Sequence, residues 1–231
     1  MTPSLGAWGL SGDLRPLPGG HRNRVLRVGN YVLKTSRRSE AALQWLGDVQ
    51  DVAATCGLDS PRLIRSAQGT LKVQGWTCEP FCDGVETSPS DIFPQITAFH
   101  LHVARLPQRP VFASASDLLT GTSGADIDLS VMPTDLVQRL RDAWSQLPTQ
   151  QVTVHADLNP SNILRDVHGA VTLIDWDEAR RDASIFDLGD VTEPARLAWE
   201  IACCWQIEPE HARALASSLP CVDGSCLARF F

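Results

Sequence analysis

Two short apolar runs in the second half of the chain each carry carboxylates where charge is costly. "HADLNPSNIL" occupies residues 155–164 and "IDWDEA" residues 174–179. A carboxylate set among buried apolar residues is unfavourable unless it is paired or bound to a cation. "VTVH" (152–155), "NILR" (162–165) and "VTLID" (171–175) read as strands, the last two joined by a turn near His168 and Gly169. Asp157, Asn162 and Asp175 therefore fall at strand ends. Mg²⁺ takes oxygen ligands, usually one or two carboxylates with phosphate oxygens and water. Asn162 and Asp175 supply two such oxygens if their strands form a hairpin. Asp157 precedes Asn162 by five residues. It is placed to face the metal-bound group without ligating it, as a general base must.

The first third of the chain reads as short strands. "LRPL" (14–17) is followed by a glycine-containing loop, then "VLRVG" (25–29) and "YVLKTS" (31–36) around a Gly29-Asn30 turn, a hairpin signal. Residues 39–57 read as a helix capped by Ser39, with Leu43, Leu46, Val49 and Ala53 as its apolar stripe and Gly57 at its end. "PRLIRSAQGTLKVQGWTCEPF" (61–81) suggests two more strands around Gln68-Gly69. After "CDGVETSPSD" the texture turns helical: Ile92, Ile96, Phe99, Val103 and Leu106 recur at helical spacing, as do Leu136, Val137, Leu140, Trp144 and Leu147. Between them, the small-residue and Asp-containing segment 113–130 reads as a long loop of the functional or mobile kind. Two helices close the chain, around 197–205 and 209–219. The expected organisation is α+β: a β-rich region 1–82, a linker near 79–85, and a mainly helical region 83–231 holding a small sheet.

Charge divides the same way. Residues 1–80 hold 10 Lys and Arg against 6 Asp and Glu, a balance of +4, and residues 81–231 hold 10 against 21, a balance of −11. No basic stripe runs through the larger part, which disfavours a nucleic-acid surface. No apolar run is long enough to span a membrane and no secretory signal is visible. The seven cysteines are irregularly spaced and lack a CxxC pair. Reduced thiols in a cytoplasmic protein are expected, rather than a disulfide framework or a structural zinc site.

H-x-D-x-x-x-x-N followed by a strand and an Asp is the catalytic-loop and metal-Asp pattern of kinase-like phosphotransferases. As written here, "HADLNPSNIL" and "LIDWDEA", it resembles the aminoglycoside phosphotransferase and choline kinase-like family of small-molecule kinases. Protein kinases usually carry Arg before the Asp and Phe-Gly after the metal Asp; here Ala156, Trp176 and Asp177 stand there. The resemblance spans roughly residues 14–205. It implies a bilobal protein kinase-like fold, ATP or GTP and Mg²⁺ as cofactors, and a small hydroxylated acceptor.

The resemblance also implies further residues. "LPGGHRNRVLRVGNYVLK" is similar to a phosphate-covering hairpin, with Gly19 and Gly20 letting the backbone approach phosphate. Lys34 matches the phosphate-contacting lysine; it and Lys72 are the only lysines among 20 Lys and Arg. The following helix should offer Lys34 a carboxylate, either Glu40, only six residues on, or Asp48. The linker "CEPFCDG" should present backbone groups near Glu79 to Phe81 to the adenine edge. Asp187 matches a residue that orders the catalytic loop, and Asp177 is either a second metal contact or a surface residue. His155 is expected to brace the catalytic loop, and His100 and His102 to take no chemical part. The implied activity is phosphorylation of a small-molecule hydroxyl, with a cationic acceptor such as an aminoglycoside or amino alcohol favoured by the acidic second region. The alternatives are a catalytically weak nucleotide-binding protein on a kinase fold and a metal-dependent phosphohydrolase.

Overall fold

The computed structural model describes residues 2–17, 23–189 and 193–220. In chain order come strands β1 (Arg15–Pro16), β2 (Val25–Val28) and β3 (Tyr31–Thr35), helix α1 (Glu40–Thr55), strands β4 (Leu58–Asp59), β5 (Trp76–Pro80) and β6 (Val85–Glu86), and helix α2 (Phe93–Val103). Strands β7 (Ser123–Gly124) and β8 (Ile127–Asp128), helix α3 (Thr134–Ser145) and strand β9 (Val152–Val154) follow. Then come β10 (Ile163–Arg165), β11 (Val171–Leu173), β12 (Arg180–Asp182), and helices α4 (Ile185–Leu188), α5 (Pro194–Cys204) and α6 (Pro209–Ser218). Among the described residues no helix is long and apolar enough to cross a membrane.

These elements form two compact units, Met1–Val103 with Asp157–Ala179, and Ala104–Ala156 with Arg180–Phe231. A boundary near residue 82 does not describe them. The reason is strand pairing: β10 pairs with β6 and β11 runs parallel to β4, so the β10–β11 hairpin joins the first unit.

In the first unit, β1-β2-β3-β5 make an antiparallel sheet. The Gly29-Asn30 turn forms as expected, with Val28 opposite Tyr31 and Gly29 at φ +55°. One face of the sheet buries Leu26, Leu33 and Cys78 with Val28 and Trp76, covered by Leu5, Trp8 and Leu14. Helix α1 follows the predicted stripe, burying Leu43, Leu46, Val49 and Ala53, and Ser39 accepts from the Ala42 N–H at 3.2 Å. Such a cap contributes about 1 kcal/mol. Segment 61–81 holds one strand, β5, instead of two. The turn at Gly69 is present, but residues 61–66 attach to β5 by a single ladder bond, Ile64 N–H to the Cys78 carbonyl at 2.7 Å. A second small sheet is ordered β4-β11-β10-β6.

The second unit packs α3 and α5 around Leu118, Ile127, Leu129, Leu140, Trp144, Val154 and Trp199. Segment 113–130 is thus not a free loop. It forms the β7–β8 hairpin and delivers Ile127 and Leu129 into the core. Gly124 makes this possible, because a Cβ there would come 2.4 Å from the Ala113 Cβ. The unit also buries an ion pair. Arg180 Nε donates to Asp182 Oδ2 at 2.9 Å, and the guanidinium stacks 3.4 Å above the Trp199 ring. Asp182 Oδ2 accepts from Ala115 N–H as well, at 3.1 Å. Burial pushes its carboxyl above the usual range despite Arg180 and these donors.

Candidate active site

The first unit brings Asp157, Asn162, Asp175 and Lys34 into one body. A short helical turn, Pro160–Asn162, begins at Asn159, whose side chain accepts from the Ser161 N–H. That turn folds Asn162 back onto Asp157. Asn162 Nδ2 donates to Asp157 Oδ2 at 2.8 Å and to the Asp157 carbonyl at 3.0 Å. Asn159 Nδ2 donates to Asp157 Oδ1 at 3.0 Å. Both carboxylate oxygens are therefore held by amides, which fixes the orientation of the carboxylate. With its NH₂ group turned to Asp157, Asn162 keeps its Oδ1 for another donor or a cation.

Asp175 is positioned by the β10–β11 hairpin, where Ile163 faces Leu173 and the Ile174 N–H bonds the Asn162 carbonyl at 3.0 Å. Its backbone is left-handed, φ +58° and ψ +59°. An aspartate tolerates this better than most residues, but the conformation is still one that accompanies function. Its Oδ1 accepts from Lys34 Nζ.

Lys34 lies on β3 opposite Val25 and Thr77, on the sheet face away from Leu33. Val32 and Glu79, one register step along, share that face. Burial lowers the Lys34 pKa, but Asp175, Asp177 and Glu79 together outweigh it and the ammonium is held above its ordinary range. Glu79 shows the reverse. Burial, opposed by Lys34 and reinforced by Asp175 and Asp177, pushes its carboxyl up to about 7. Asp177 is gripped by Arg38, Nε to Oδ1 at 3.2 Å and Nη2 to Oδ2 at 2.9 Å.

Several expected roles change. Glu40 does not meet Lys34: its Oε1 accepts from the Leu71 N–H at 2.8 Å and lies 3.8 Å from Arg65. At the first position of α1 its carboxylate satisfies a loop amide instead. Asp48 is exposed on the same helix. Some of the backbone groups expected to meet adenine are used in the sheet. The Phe81 N–H bonds the Asn30 carbonyl at 2.8 Å, and hydrogen-bonded pairs alternate along an antiparallel ladder, so Glu79 opposite Val32 is bonded too. The same alternation leaves Pro80, opposite Tyr31, where no N–H is needed. Gly19 and Gly20 lie outside the described residues. The residues that sequence reasoning missed are Arg38, Asn159 and the Glu79 side chain; the Asn-Pro-Ser turn signal pointed to Asn159.

In the second unit, Asp187 accepts from the N–H groups of His155 at 3.0 Å and Ala156 at 2.7 Å, the two residues preceding Asp157 in the chain. Ala156 is left-handed, at φ +69°. A carboxylate bonding both amides holds it there.

Residues 13–203 match the model of the phosphotransferase enzyme family. The chain belongs to that family. No curated protein matches it by sequence. Solved structures of similar fold include a choline/ethanolamine kinase family protein from Mesorhizobium loti, 18% identical with a TM-score of 0.51, covering 91% of this chain and 86% of that one. An amicoumacin kinase is 16% identical with a TM-score of 0.60, covering 94% and 76%. A type I macrolide 2'-phosphotransferase is 16% identical with a TM-score of 0.53, covering 93% of both chains. This phosphotransferase family member thus has the protein kinase-like α+β fold of small-molecule kinases.

Proposed function

We propose that this phosphotransferase is a Mg²⁺-dependent kinase that moves the terminal phosphoryl group of ATP or GTP to a hydroxyl of a small cationic molecule, an aminoglycoside or amino alcohol. The observation that carries the reading is the Asp157–Asn162 bond in the same unit as the Lys34–Asp175 pair. Together these supply a positioned base, two oxygen ligands and a cation for phosphate.

Asp157 accepts the acceptor's hydroxyl proton as the oxygen–phosphorus bond forms and the bond from phosphorus to the β-phosphate oxygen breaks. A carboxylate oxygen carries two lone pairs, so one amide bond to it does not by itself prevent it from taking that proton. Lys34 turns from Asp175 to the phosphates and offsets their charge. Asn162 Oδ1 and the Asp175 carboxylate would hold Mg²⁺, whose contribution is to neutralise charge on the phosphate oxygens. Positioning and electrostatics are most of what phosphoryl transfer requires. The amicoumacin kinase was solved with AMP-PNP and Ca²⁺, which supports a nucleotide and a divalent cation here. The choline/ethanolamine kinase likeness is in keeping with a small amino-alcohol acceptor.

Asp157→Asn tests the assignment. The amide is almost isosteric but accepts no proton, so turnover should fall by about 10²–10⁴ while nucleotide affinity stays near wild type. Turnover within a few-fold of wild type on a panel of hydroxylated amines would remove Asp157 from this role. Nucleotide binding with no turnover of any acceptor would favour the weak nucleotide-binding reading, and hydrolysis of phosphate esters without nucleotide the phosphohydrolase one.

A further inference from the structure

We infer that the α5–α6 turn is a binding site for a divalent transition ion of the Zn²⁺ class, ligated by Glu200, Cys204 and His211. One ligand atom from each of these residues lies within 4.8 Å of the other two. Glu200 and Cys204 are one turn apart on α5 and share a face. The chain then reverses tightly. The N–H groups of Ile207 and Glu208 both bond the Cys204 carbonyl, at 3.1 and 2.8 Å, and the Ala212 N–H bonds the Glu208 carbonyl at 3.0 Å. This returns His211, in the first turn of α6, to the end of α5.

The cluster is built around a buried sulfur. Cys204 has no exposed surface, yet its Sγ lies 3.1 Å from Glu200 Oε1 and 3.4 Å from Glu208 Oε2. A thiol has one proton and donates to one acceptor at a time, so two carboxylate oxygens beside it favour a cation in its place. Tetrahedral zinc, with bonds of about 2.0–2.3 Å, sets its ligand atoms roughly 3.3–3.7 Å apart. The two sulfur–oxygen separations are already close to that. His211 is exposed and closes the remaining gap by rotating its side chain. Thiolate and imidazole select a borderline transition ion, whereas Mg²⁺ and Ca²⁺ take oxygen. On binding, the ion takes the place of the thiol proton, which leaves to solvent, and Glu208 or a water fills the fourth position.

The location suggests what the ion does. Ala212 is the one fully buried residue within α6. A metal bridge at its first turn adds a link from this helix to α5, whose buried face holds Trp199, Ile201 and Cys203. The site shares no residue with Asn162 and Asp175 and does not depend on the proposed reaction.

Metal-free protein titrated with Co²⁺ reads the site directly, because thiolate ligation gives a near-ultraviolet charge-transfer band. The expected result is one Co²⁺ per chain with that band, its displacement by Zn²⁺, and a higher Tm with Zn²⁺ bound. Loss of an outer-shell partner alone costs metal sites about 10–100-fold in affinity, so His211→Ala should weaken binding by at least that much. Cys204→Ser should abolish the band, and Asp175→Asn should leave the band and its midpoint unchanged. No charge-transfer band, equal affinity in wild type and His211→Ala, or loss of the signal in Asp175→Asn would each overturn the site. Since Cys204 is buried and its variant can fail to fold, the exposed His211 decides the matter alone.

Discussion

Replacing Glu79 by Gln should make the nucleotide-free protein more stable at pH 8 and leave it little changed at pH 5. The wild-type carboxyl titrates near 7 in the folded protein against an ordinary 4.5. Between those values the native state holds a proton that the unfolded chain has released. Stability from this group is therefore complete below about 4.5, declines as pH rises, and is fully lost above about 7. At about 1.4 kcal/mol per pH unit, the loss is on the order of 3 kcal/mol. Gln keeps the shape and carries no charge at any pH, so the variant lacks this decline. Urea unfolding followed by tryptophan fluorescence, run at several pH values, gives the difference between the two proteins. That difference should grow by about 2.5 kcal/mol from pH 5 to pH 8. A constant difference would show that Glu79 is solvated in the native state. A difference of opposite sign would show that its attraction to Lys34 outweighs its burial.

Asp175→Asn removes a charged ligand and the partner of Lys34, so calorimetry should show weaker Mg²⁺-nucleotide binding along with lower turnover; unchanged affinity would refute the metal assignment. Asp182→Ala leaves Arg180 charged and buried, and should cost about 3–5 kcal/mol in urea unfolding, whereas an effect under about 1 kcal/mol would mean the guanidinium reaches water. For a cationic acceptor, kcat/KM should fall as salt contracts the screening length from about 30 Å at 0.01 M to about 8 Å at 0.15 M, with a neutral analogue affected much less. If segment 113–130 faces the acceptor, neutralising Asp126 and Asp128 together should flatten that slope, with circular dichroism as a control because Asp128 also accepts from the Ser130 N–H.

Elements whose signals are local were legible in the sequence. The β2–β3 hairpin follows from Gly29-Asn30 between β-rich runs, α1 from Ser39 and its stripe, and the β10–β11 hairpin from the turn at Gly169. Strands β4, β6 and β12 are two or three residues long and exist only because distant partners complete them, so no periodicity could reveal them. The same holds for 113–130, whose Gly and Ser content hides the core positions of Ile127 and Leu129. At the candidate site, the grouping of Asp157, Asn162 and Asp175 in one unit was readable because it follows from their spacing. The partner of Lys34 was not. The family resemblance pointed to Glu40 or Asp48 on α1, while the actual pair depends on how the β10–β11 hairpin is placed by tertiary pairing. Likewise the face on which Glu79 points is set by its register against Val32, which a single strand cannot specify.

The Lys34–Asp175 ion pair has a thermodynamic consequence. On the proposed assignment the cation needs Asp175 and the phosphates need Lys34, so each ligand must break the same bond. The first to arrive bears the whole cost of separation, and the second finds its side chain already released. Each therefore raises the affinity for the other by an equal factor, as reciprocal linkage demands. Free nucleotide and free metal should each bind poorly alone, and the protein should discriminate in favour of the preformed complex without any residue that contacts both.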